Sequence, residues 1–105
     1  MKLKFNNLVS KNKTKKIKDS YITKVIFNNK SRKLIRAKKL LNKIIENELT
    51  LKQKNIFNLY YLDKMKMKEI SSVLGIKQST ISVHISKSNF KIKKIFNYVK
   101  SFNSN

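Results

Sequence analysis

The chain has no cysteine, no proline and no tryptophan, a single glycine, and only 5 acidic residues. Each scarcity removes a class of protein. Without cysteine there is no disulfide framework, no thiol nucleophile and no cysteine-ligated zinc. The lone His84 and the scattered acids offer neither a metal cluster nor a carboxylate pair. The expectation is a non-enzyme with no metal and no cofactor. No apolar run approaches the ~18 residues that cross a bilayer, and no helical pattern joins a strong apolar face to aromatic membrane anchors. The opening Met1-Lys2-Leu3-Lys4-Phe5 lacks the apolar core of a secretion signal. A cytoplasmic protein with no membrane partner is therefore expected.

What is abundant is charge of one sign. The sequence sets 26 lysines and arginines against 5 acids, a net charge of +21 over 105 residues. A field of that sign attracts polyanions, nucleic acid first. The Lys-, Asn- and Ile-rich composition is also what A+T-rich codons produce, yet that bias does not account for the scarcity of acids. All the cations but Arg32 and Arg36 are lysines, which suit phosphate neutralisation better than bidentate reading of bases.

A chain of this length holds one small domain, whose thin core must use most of its Ile, Leu and Phe. Residues 1–30 show no sustained period and carry nine lysines and one aspartate. They read as a basic, largely irregular N-terminal arm. Within it, residues 21–27 are rich in β-branched side chains and fit either a strand or an irregular arm laid on the domain. From Ser31 the pattern changes: Leu34, Ala37, Leu41, Ile44 and Ile45 recur at helical spacing up to about Glu48. Thr50 and Gln53 have the spacing of a capping box and open a second helix containing Ile56, Leu59 and Tyr60.

A third, two-turn helix starts near Met67. Its N-cap, Lys66, has no acceptor side chain, and Glu69 compensates in part through the helix dipole. It ends at Gly75, the residue suited to a left-handed C-cap. A fourth helix starts near Gln78, and its stripe of Ile81, Ile85, Ile92, Ile95 and Val99, with Ser88 in register, predicts a long element. Two short helical runs about a glycine turn have the layout of a helix-turn-helix. The expected fold is all-α: a small helical bundle with a helix-turn-helix at about 66–87, of the winged-helix-like type without a wing. The domain spans 31–100, with a short tail at 101–105.

The run LTLKQKNIFNLYYLDKMKMKEISSVLGIKQSTISVHISKS carries a family likeness. Leu49-Thr50 with Gln53, Leu59-Tyr60-Tyr61-Leu62, Lys68-Glu69-Ile70, Leu74-Gly75-Ile76 and Gln78-Ser79-Thr80-Ile81-Ser82 follow one another as in region four of the sigma-70 transcription initiation factors. The chain resembles that module from Leu49 to roughly Lys94. It departs from the family with lysine at both cap positions and Val83 where arginine is common. It also lacks the segment with which a whole sigma factor melts the promoter, so a stand-alone module is expected.

The resemblance implies a division of labour. Ile70, Leu74, Ile76, Ile81 and Ile85, with Leu59, form the packed interior. The helix from Met67 crosses the DNA backbone, bringing Lys66, Met67 and Lys68 near phosphate. The helix from Gln78 enters the major groove with Lys77, Gln78, Ser79, Ser82, Val83, Ser86 and Lys87 outward and Thr80 near the backbone. Gln78 suits adenine, a bidentate pair discriminating by ~1–3 kcal/mol, the serines suit many bases, and Val83 suits a thymine methyl. His84 is either a phosphate contact or a packed side chain. Phe57, Tyr61 and Leu62 are the candidate RNA polymerase contacts, with helix burial as the competing role. The expected partner is double-stranded DNA, for a sequence-specific bacterial transcription regulator. The alternatives are a polymerase-binding accessory module or a non-specific basic nucleic-acid binder. Phe90, Phe96, Tyr98 and Phe102 serve either a homodimer or, in a monomer, packing against the 31–48 helix.

Overall fold

A computed structural model describes residues 17–27 and 30–103, all of them helix or connection. Among the described residues there are five helices: α1 (Ser20–Phe27), α2 (Arg32–Glu48), α3 (Leu51–Phe57, running on as a π-helical turn, Asn58–Leu62), α4 (Met67–Leu74) and α5 (Gln78–Asn103). At ~1.5 Å per residue α5 is about 39 Å long and nearly spans the 42 Å long axis of the molecule. The other helices pack on it or on one another.

α1 corrects the reading of residues 21–27 as strand or irregular arm. Asp19 caps the helix: its Oδ1 accepts from the amides of Tyr21 at 2.9 Å and Ile22 at 3.0 Å. Ile22, Val25 and Ile26 lie at i, i+3 and i+4 and are buried together, so the apolar set is helical although its members are β-branched. Residues 1–16 and 28–29 of the expected arm lie outside the described residues.

α2 starts as expected, with Ser31 Oγ accepting from the Leu34 amide, and buries Leu41 and Ile44. The capping box opening α3 is complete. Thr50 Oγ1 accepts from the Gln53 amide and Gln53 Oε1 accepts from the Thr50 amide, both at 3.1 Å. Lys91 of α5 donates to that same Gln53 Oε1 at 3.2 Å and to the Glu48 carbonyl at 3.0 Å, tying the α2–α3 corner to α5.

The winding then loosens: the Asp63 amide reaches back five residues to the Asn58 carbonyl. The wider turn lets adjacent Tyr60 and Tyr61 both face the core, at 6% and 1% exposure. Lys64, at φ 55°, turns the chain out of it. Ile56, Phe57, Ile70, Ile81, Ile85 and Ile92 complete the interior. Leu74 does not join them. It is 40% exposed, because a two-turn helix meets the core at Ile70 and has reached the rim by its last residue. Leu59 and Ile76 are partly buried against the core.

Candidate nucleic-acid interface

The helix-turn-helix is built from α4, Gly75 and the first turns of α5. Lys66 supplies no side-chain cap, but Glu69 Oε1 accepts from the Lys66 amide at 2.8 Å. The Lys66 carbonyl takes the Ile70 amide at 3.0 Å. At the other end Gly75 has φ 69° and ψ 32°, the left-handed conformation that costs an L side chain ~1–2 kcal/mol. Its amide closes the last turn on Ser71, and Ser71 Oγ donates across the turn to the Ile76 carbonyl. The turn is thus held on both sides of the glycine, which fixes the angle at which α5 leaves it.

Ile81, Ile85, Ser88 and Ile92 are fully buried along one side of α5, with Ser88 Oγ satisfied by the His84 carbonyl at 2.8 Å. Burial of that side dictates what the opposite side presents. Lys77, Gln78, Ser79, Val83, Ser86 and Lys87 are exposed, and Thr80 and Ser82 are half-buried beside them. At 100° per residue Ser79, Ser82, Val83 and Ser86 share one outward face. On α4, Lys66 and Lys68 are exposed and Met67 is half-buried. The expected contact residues of both helices therefore lie at the surface of the motif.

His84 is half-buried, and its Nδ1 is a buried atom with no hydrogen-bond partner. Desolvation, then Lys52 and Lys87, hold its pKa below the ordinary 6.5. Of its two roles the structure supports the packed one, with a neutral ring.

The candidate polymerase contacts divide. Phe57 and Tyr61 are 0% and 1% exposed, their rings 4.5 Å apart in the core, so neither forms a docking surface. Both belong to the buried core, and packing outranks display. Leu62 is 47% exposed. Sequence reasoning also missed the network around Tyr61. Its hydroxyl accepts from the Asp19 amide at 2.9 Å and donates to Asn89 Oδ1 at 2.8 Å, while Asn89 Nδ2 donates to the Ile17 carbonyl at 2.9 Å. Lys93 pairs with Asp19 at 3.0 Å. These partners are 28 to 74 residues apart in sequence, and no local pattern announces them.

Residues 47–88 match the family model of sigma-70, region 4. Over this stretch, less than half of the chain, the protein is similar to the sigma-70 region 4 helix-turn-helix module. The stretch takes in the end of α2, all of α3, the π turn and α4, and α5 as far as Ser88. Neither the curated proteins nor the solved structures contain a match to the chain. A region 4 module is DNA-binding and non-catalytic, and such modules serve transcription. Among the described residues there is no group of side chains that could hold a metal ion, and no helix is long and apolar enough to cross a membrane.

Proposed function

We propose that this protein is a sequence-specific duplex-DNA-binding regulator of bacterial transcription initiation. The observation that carries the reading is the exposed face of α5. Ser79, Ser82, Val83 and Ser86, led by Gln78, stand outward at the start of a helix whose other side is wholly buried. In a region 4-like motif that face meets the major groove. Gln78 supplies paired donor and acceptor groups for adenine and Val83 an apolar surface for a thymine methyl. Phosphates are met by Lys66, Lys68, Lys77 and Lys87, and by the amides at the start of α4.

With lysine supplying nearly all the cations, electrostatics dominates affinity. Contact with roughly 6–10 phosphates gives a slope of about −5 to −9 for log affinity against log salt. A salt titration on duplex DNA checks this. A slope shallower than about −3 removes the phosphate-anchored docking on which the reading depends.

The accessory-module reading is weaker after the burial of Phe57 and Tyr61, which leaves Leu62 as its one exposed candidate. Of the four aromatics beyond the motif only Phe96 packs inward, meeting Tyr21 edge to face at 5.7 Å, whereas Phe90, Tyr98 and Phe102 are 67%, 64% and 64% exposed, so the monomer is supported at Phe96 alone.

A further inference from the structure

Outside the matched segment, α2 and the distal half of α5 splay apart and leave an open groove of about 1050 Å³. Its floor is apolar and half-buried, formed by Ala37, Leu40, Phe96 and Val99 with Tyr21 beside them. Its rims are cationic: Arg32, Lys33 and Arg36 on one side, Lys93 and Lys100 on the other. Lys93 is committed to Asp19. The other four carry no ion pair among the described residues. The only two arginines of the sequence sit together here, one helical turn apart. Arginine is the cation whose planar fork grips a carboxylate through two parallel bonds.

We propose that this groove docks an acidic amphipathic helix of a partner protein. The stretches 32–40 and 93–100 that flank it are ~10–12 Å long, the rise of about two helical turns. A helix lying between them sets apolar residues at i, i+3 or i+4, and i+7 on the floor. Asp and Glu on its flanks then meet the arginine and lysine rims. Charge decides against the other occupants from this chain. Residues 1–16 carry six lysines and no acid, and a second copy brings another +21. A nucleic acid satisfies the rims but finds no partner for its phosphodiester backbone on the apolar floor. The groove starts about 16 Å along α5 from Ser82, at ~1.5 Å per residue. At 100° per residue Lys93, Phe96 and Lys100 fall within about 40° of Ser82 around the axis, so the groove is on the same side of α5 as the DNA-facing residues and is set apart from them along the helix. The proposal does not depend on the DNA reading.

The probe is a synthetic 14-residue amphipathic helix with Leu on one face and Glu on the other, tested against the full chain by calorimetry and amide-shift mapping. The expected result is binding that shifts the amides of 32–40 and 93–100 and is lost with a sequence-scrambled or Lys-for-Glu peptide. Arg32→Gln with Arg36→Gln weakens it by about tenfold or more, whereas the charge-matched Lys43→Gln with Lys52→Gln leaves it unchanged. Four outcomes overturn the proposal. These are equal binding of the scrambled peptide, shifts centred on 67–87, occupation of the groove by DNA in the absence of peptide, read as shifts of 32–40 and 93–100, and self-association of the chain through the groove in sedimentation.

Discussion

The Tyr61 hydroxyl bridges the Asp19 amide of the α1 N-terminus and Asn89 of α5, and burial pushes its pKa up to about 12. Removing it in Tyr61→Phe keeps the ring packing but leaves an amide and a carboxamide oxygen without a partner. The expected cost is ~1–3 kcal/mol, read as a lower urea midpoint with an unchanged slope. His84 gives a pH signature. Protonation would charge a ring held near Lys52 and Lys87 and place an N–H at a buried Nδ1 that has no acceptor. The folded pKa lies below 6.5, so between the two values the unfolded chain binds more protons than the folded one. The stability due to neutral His84 is therefore complete above pH ~6.5 and declines as the pH falls through the window below it. Urea midpoints at pH 7.5 and 5.5 should differ for the wild type, and His84→Gln should lose that part of the difference.

At the scale of elements, α1 belongs to the domain rather than to an arm. Ile22 and Val25 are 0% exposed, and the helix is joined to α3 and α5 through Tyr61, Asn89 and Lys93. Ile22→Ala should cost ~2–5 kcal/mol, the range for a fully buried large-to-small change. A loose arm would tolerate it with no change in thermal midpoint. The reasons this helix was hard to read are physical. Its β-branched residues favour extended chain locally, and only the i, i+3, i+4 placement of Ile22, Val25 and Ile26 behind a capping Asp19 says otherwise. By contrast the Thr50–Gln53 box, the Gly75 stop and the stripe of α5 were legible, because each is a short-range pattern with one geometric solution. The π turn had no local sign. It follows from the demand that both Tyr60 and Tyr61 enter the core, and that demand is set by helices distant in sequence. The same long-range packing hides Phe57 and Tyr61 and leaves Leu74 at the rim. Gln78, Ser79, Val83, Ser86 and the lysines of the motif lie at the surface as expected, since their exposure follows directly from the burial of Ile81 and Ile85.

As a whole, the molecule is a thin helical body organised on α5, carrying a net charge of +21. The first turns of α5 present the outward face of a region 4-like motif, and its last turns border the cationic groove with α2. Charge alone gives affinity for any duplex; only side chains at base edges give preference among sequences. The central claim is that those side chains are Gln78, Ser82 and Val83. The most direct measurement selects a preferred duplex from random oligonucleotides. It then compares affinity for that duplex and for a shuffled one, in the wild type and in the triple variant Gln78→Ala, Ser82→Ala, Val83→Ala, at one fixed salt concentration. None of the three changes alters charge at neutral pH, so the affinity for shuffled DNA should stay within about threefold while the specificity ratio falls by tenfold or more. A selection that yields no preferred sequence, or a ratio that the triple variant leaves unchanged, would contradict the account.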